Sequence, residues 1–129
     1  MNSASYPYLN SNPLIEFFVR DVKNHWVRFL AYVDSGAALT ILTKDDSSRL
    51  GFDLTDGERI NLHGVSGSLA AYLHKTEVRI ANTELKLKIA FSSSSKTPRL
   101  VGRKGLFDNF VVCFNDLQKE VTFTKIKLP

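Results

Sequence analysis

Three features of the sequence predict an all-β fold, either a barrel or a sandwich. Short stretches rich in Val, Ile, Leu, Phe and Thr recur along the chain, turn residues separate them at close spacing, and one segment carries helix signals. The 129 residues suffice for one domain with its own core, but not for two lobes.

Residues 1–12 are rich in Asn, Ser and Tyr and read as a flexible N-terminal arm, with the folded domain over 13–129. Leu14–Arg20 and Trp26–Val33 read as strands, joined into a hairpin by the turn residues Asp21–His25. The stretch Phe29–Leu42 then stands apart. It is an almost unbroken apolar run with Asp34 in its middle, followed by Ser35 and Gly36. Such flanks predict a strand buried on both faces, interrupted by a turn and resumed. A carboxylate there is expensive unless hydrogen bonds, a partner or a proton compensate it. Asp-Ser-Gly alone is a common surface turn. Set between Leu30 and Ile41, it implies a functional acid at the floor of a cleft.

Beyond it, Thr43 with Asp46 three residues on approximates a capping box, and Gly51 suits a helix end, so one short helix is expected. Asp45 and Asp46 fall in its first turn and read as capping charges. Ile60–Tyr72 offers two strand-like arms around a Gly/Ser-rich tip. Glu77–Ile80 and Leu85–Ile89 form a third hairpin around Ala81–Glu84, with Lys86 and Lys88 on its wet face. Ser92–Pro98 reads as a flexible loop. Leu100-Val101-Gly102 reads as a buried strand ending in glycine, and Phe110–Asn115 with Glu120–Ile126 as a last hairpin.

Composition excludes several functions. Lys+Arg 17 against Asp+Glu 13 gives a charge of +4, but no basic block occurs, and scattered lysines argue against nucleic acid as a partner. The single Cys113 allows no internal disulfide, fits a reducing compartment and reads as a small buried hydrophobe. His25, His63 and His74 lack ligand spacing, so neither metal nor cofactor is expected. There is no phosphate loop and no Ser/His/Asp signature. No apolar run approaches the ~20 residues of a membrane span. The N-terminus lacks a signal-peptide core. The expectation is a cytoplasmic protein, or a soluble domain of a larger one, with no membrane contact.

Asp34-Ser35-Gly36-Ala37-Ala38-Leu39-Thr40-Ile41-Leu42 resembles the active-site loop of the retropepsins, the single-domain aspartic proteases of retroviruses and their cellular and microbial relatives. The family pattern is Asp-Thr/Ser-Gly-Ala, two variable residues, then Thr and two aliphatics. A second family element, two aliphatics followed by Gly-Arg and a short helix, recurs as Leu100-Val101-Gly102-Arg103 leading into Lys104–Phe110. The resemblance covers roughly residues 14 to 126. It implies a closed acid-protease-type β-barrel with a flap hairpin and one or two short helices.

The resemblance also implies a homodimer, because one chain supplies one catalytic aspartate, Asp34, and a water-activating pair needs two. Ser35, Gly36 and Thr40 then support the active-site loop. Peptide or protein substrate lies against Gly36, Ala37 and Ala38 and under a flap tipped by Gly64, Val65, Ser66 and Gly67. Which of Val65, Ser66 and Gly67 forms the tip stays open. Ala38 stands where retroviral members carry an aspartate that pairs with the arginine after the second glycine, so Arg103 lacks that partner; Lys104 stands where Asp or Asn is common. The alternative function is a peptide-binding or assembly module of the same fold with little or no turnover.

Overall fold

A computed structural model describes residues 3–64 and 67–126. The strands are β1 (Ser3–Pro7), β2 (Leu14–Arg20), β3 (Trp26–Val33), β4 (Thr40–Leu42), β5 (Glu58–Gly64), β6 (Gly67–Ile80), β7 (Thr83–Ser92), β8 (Leu100–Val101), β9 (Phe110–Asn115) and β10 (Glu120–Lys125). One α-helix, α1 (Lys44–Arg49), and one 3-10 turn at Leu54–Asp56 complete the elements.

Seven strands form a sheet in the order β2-β3-β8-β4-β7-β6-β5. An antiparallel pairing of Phe18 with Arg79 and Val19 with Val78 joins β2 to β6 and closes six of these strands into a ring. Strand β5 stays outside the ring, paired to β6. Alternation explains the inside: β2 buries Ile15, Phe17 and Val19 and turns Glu16, Phe18 and Arg20 outward. Phe29, Ala31 and Val33 of β3, Ile89 and Phe91 of β7, and Val101 of β8 fill the rest.

The first hairpin pairs Leu14 to Tyr32 through Arg20 to Trp26. Strand β6 is longer than its sequence suggests. Its arm from Gly67 runs without a break to Ile80, so the second and third hairpins share one strand. Ala81 and Asn82, at φ 52 and 59, make the two-residue turn into β7.

The terminal strands make a second, three-stranded sheet, β1-β10-β9. The loose arm read from composition is replaced, over Ser3–Pro7, by a strand in register with β10, Ser3 opposite Thr124 and Pro7 opposite Glu120. Ala4 and Tyr6 face inward on it. Tyr6 packs edge-on against Phe123 at 5.8 Å, and its hydroxyl accepts the Ala81 N–H at 2.8 Å. A low-hydrophobicity segment is thus held by its pairing with β10 together with the inward-facing Tyr6. Cys113, expected to be buried, is exposed on β9, because the inward register of that strand falls on Phe110 and Val112.

The helix after Arg103 does not form. Residues 103–109 make successive turns, with the Leu106 and Phe107 N–H groups both bonded to the Arg103 carbonyl. Gly105, at φ +81, breaks the helical path.

Helix α1 begins with the expected capping box. The Asp46 N–H donates to Thr43 Oγ1 at 3.2 Å, and the Thr43 N–H donates to Asp46 Oδ2 at 3.0 Å. The structure adds a partner that sequence reasoning missed. Arg99, 53 residues on, holds the fully buried Asp46 bidentately through Nε at 2.8 Å and Nη2 at 2.9 Å. Burial opposes the Asp46 charge, but the hydrogen bonds from Arg99 and Thr43 outweigh it and hold the carboxyl below its ordinary value.

A carboxyl with a lowered folded-state pKa contributes stability above its unfolded value and loses it as pH falls through the folded one. Replacing Arg99 by Met should therefore cost about 2 kcal/mol at neutral pH, since the pair is buried only on the aspartate side. The gap from the unaltered protein should narrow as pH drops below about 4. Urea unfolding of both proteins across that range checks this; a pH-independent gap would contradict it.

Candidate active site

Asp34 lies just past the end of β3, where the chain leaves the barrel. Its N–H donates to the Val101 carbonyl at 2.9 Å, which extends the parallel pairing of β3 with β8. The Gly36 N–H donates to Asp34 Oδ1 at 2.8 Å, and the Ala37 N–H closes a turn onto the Asp34 carbonyl at 3.2 Å. The other carboxylate oxygen accepts no hydrogen bond from the described residues. Asp34 is half-buried within one chain. The strand ends at Val33, so the turn carries the carboxylate to the barrel's surface.

The loop is gripped from behind by residues 102–104. Thr40, fully buried, accepts the Gly102 N–H on its Oγ1 at 3.1 Å. The Arg103 N–H donates to the Ala37 carbonyl at 3.0 Å, and the Lys104 N–H to the Ala38 carbonyl at 2.9 Å. Arg103, which lacks the aspartate expected at position 38, donates through Nη1 to the Ser35 carbonyl at 2.7 Å. A backbone acceptor thus replaces the missing carboxylate and ties the arginine to the middle of the Asp-Ser-Gly turn. The Ser35 side chain is exposed.

Gly102 permits this grip. A Cβ there would stand 2.2 Å from the Leu39 carbonyl oxygen and 2.9 Å from that of Ala37. Only a residue without a side chain lets the two segments cross.

The β5–β6 hairpin overhangs a groove of about 300 Å³, formed with β4, β8 and the segment before β8. Leu62, Gly64, Gly67 and Leu69 of the hairpin face Ile41 and Leu100 across it. Gly64 and Gly67 therefore meet at the groove, with Gly67 at φ 123, whereas Val65 and Ser66 lie outside the described residues. Gly36, Ala37 and Ala38 sit on the Asp34 loop and do not line this groove.

The histidines are held otherwise. His74 Nε2 bonds to the Leu54 carbonyl at 2.9 Å and its ring stacks on Phe52, while His25 is 3.6 Å from Asp21. No metal-ligating cluster occurs among the described residues. No helix there is long and apolar enough to cross a membrane.

No family model and no curated protein matches the chain by sequence. Solved structures do. A retropepsin-like aspartic protease from Rickettsia conorii superposes with a TM-score of 0.71 at 24% identity, over 94% of this chain and 89% of that one. The EIAV protease in complex with the inhibitor HBY-793 superposes with a TM-score of 0.59 at 17% identity, over 78% of this chain and 89% of its own. The chain has the retropepsin-like fold.

The grip on the loop makes a direct prediction. Gly102→Ala should destabilise the protein by about 2–3 kcal/mol, because backbone rather than a flexible side chain must move. Thermal or urea unfolding measures it, and a change below about 0.5 kcal/mol would show that the crossing is looser than described.

Proposed function

We propose that this chain is an aspartic endopeptidase, active as a homodimer in which two copies of Asp34 activate one water molecule. The observation that carries the reading is the Asp34 turn itself. It is a carboxylate with one oxygen held by a backbone N–H and the other bonded to none of the described residues, on a loop braced at Thr40, Gly102 and Arg103 within a retropepsin-like fold. A domain retained only to bind peptides has no need of that arrangement.

One chain holds one such loop, so the second carboxylate comes from another copy. Two facing carboxylates cannot both ionise cheaply; they share a proton and titrate as a pair. The charged member takes a proton from water as the water attacks the scissile carbonyl carbon. The neutral member gives its proton to the carbonyl oxygen. The tetrahedral intermediate then collapses: the carboxyl that took the water's proton gives it to the leaving nitrogen, and the other takes one back from a hydroxyl of the intermediate. The C–N bond breaks, and no covalent enzyme intermediate is needed. Ser35 and Gly36 stiffen the paired turns, and Thr40 holds the loop from below. Substrate runs extended along Gly36, Ala37 and Ala38, and the β5–β6 hairpin closes over it as a flap.

The terminal sheet supports a partner copy. Among the described residues its outer strand β9 has one edge without a partner strand, and Val111 and Phe114 on that strand and Ile126 after β10 are exposed apolar residues. A two-fold related copy meeting this sheet would cover both features.

Asp34→Asn preserves shape and hydrogen bonding but removes the proton acceptor. Peptidase activity should fall by ~10³-fold or more, about 4 kcal/mol of barrier, in a protein that stays folded. Sedimentation should show a dimer wherever peptide is cleaved. Full activity in soluble Asp34→Asn protein, or cleavage by a monomer, would exclude the mechanism.

Flap closure has a separate signature. Backbone amides of His63, Gly64, Gly67 and Ser68 should exchange more slowly with a peptide-based inhibitor bound than without it. Equal exchange in the two states would remove the hairpin from the binding event.

A further inference from the structure

Lysines that are dispersed along the sequence are gathered by the fold on one face beside the loop. Lys75 lies directly opposite Lys88 in the β6–β7 register. A like-charged cross-strand pair is destabilising. On the next rung Glu77 stands opposite Lys86, but Glu77 pairs with Arg20 at 3.0 Å. Among the described residues, none of Lys75, Lys86, Lys88 and Lys104 forms an ion pair. Lys86, Lys88 and Lys104 line a pocket of about 380 Å³ with Leu39, Leu73 and Leu87. Lys75 borders the adjoining hollow with Lys86 and Lys88.

This pocket is continuous with the Asp34 loop. Leu39 directly follows Ala38, and the Lys104 N–H donates to the Ala38 carbonyl. A substrate laid along Gly36–Ala38, as the endopeptidase reading has it, would reach the pocket at Leu39. We propose that the pocket selects polypeptide substrates with an acidic side chain near the cleaved bond. Lys86, Lys88 and Lys104 would take the carboxylate, and the half-buried Leu39 and Leu73 its methylene stem.

The inference rests on the endopeptidase reading and names its substrate class. Lysines on flexible stems offer dispersed point charges, without the guanidinium fork that grips a phosphate in two places, so a carboxylate is the better match. A nucleic acid would call for a basic track of several phosphate contacts, not one leucine-walled pocket.

The test uses two fluorescein-labelled peptides that differ only by Glu or Gln at the residues flanking the scissile bond. Anisotropy titrations on the Asp34→Asn protein measure binding without turnover. The Glu peptide should bind about tenfold more tightly at low salt, with the margin shrinking at high salt. In a protein that also carries Lys86→Gln and Lys88→Gln the margin should fall severalfold, with Lys104 alone remaining, while affinity for the Gln peptide stays close to its former value. Lys23→Gln, a loss of positive charge on the first hairpin's turn, should leave the margin intact.

In the protein with native Asp34 the same preference should appear in KM and not in kcat. Equal binding of the two peptides, or a preference undiminished by Lys86→Gln/Lys88→Gln, overturns the proposal. So does tighter binding of a single-stranded oligonucleotide that the same double substitution abolishes. Selective binding with no cleavage of either peptide supports the pocket and overturns only the endopeptidase reading.

Discussion

The crossing of two backbone segments at Gly102 is the constraint on which the rest of the site depends. The Leu39 and Ala37 carbonyls approach so closely that no Cβ fits between them and the crossing chain. That approach lets Thr40 receive the Gly102 N–H, and Ala37 and Ala38 receive the N–H groups of Arg103 and Lys104. Each bond contributes about 1 kcal/mol net, while ordering each loop residue costs about 1–2 kcal/mol. The loop therefore cannot hold itself. It is held because β3 and β8, paired in parallel inside the barrel, deliver both segments to the crossing already aligned.

A second anchor controls how β8 arrives there. Arg99 immediately precedes β8, and its carbonyl accepts the Tyr32 N–H at 3.1 Å while its guanidinium clasps Asp46. Helix α1 is thus more than a cover on the barrel, because through Asp46 it sets the entry of the strand that leads to Gly102. The serine-rich segment before it is tied as well, with Ser92 Oγ bonded to Thr97 Oγ1 at 2.5 Å and to the Ser94 carbonyl at 2.8 Å. Composition alone reads that segment as a loop, and so it is. Its internal hydrogen bonds are what restrict the path to Arg99.

Electrostatically the two faces of the loop differ. In front stands a half-buried carboxylate with one oxygen bonded to none of the described residues, and beside it lie lysines with no ion-pair partner among those residues. Neither arrangement lowers the free energy of the isolated chain. A like-charged cross-strand pair is the kind of local conflict that folded proteins keep where a ligand or partner relieves it.

Local pattern alone determined a good deal here. The β2–β3 hairpin follows from alternation and a turn-rich break, the capping box at Thr43 from two residue types at fixed spacing, and the Asp34 turn from a carboxylate amid aliphatics. These depend on interactions between residues near in sequence, so their signal is written there. Other features arise from pairs far apart that no spacing rule links. Tyr6 reaches Ala81 across 75 residues and, together with the pairing to β10, holds a polar arm as a strand. Asp46 finds Arg99, and Arg103 finds the carbonyl of Ser35 in place of a side chain the sequence lacks. Backbone acceptors are the same at every residue, so only the tertiary structure decides which carbonyl an arginine meets. Likewise, Lys86 and Lys104 come to line one pocket only when the barrel closes. Sequence determines residue chemistry and local conformation, whereas long-range convergence is decided by the packing of the whole core.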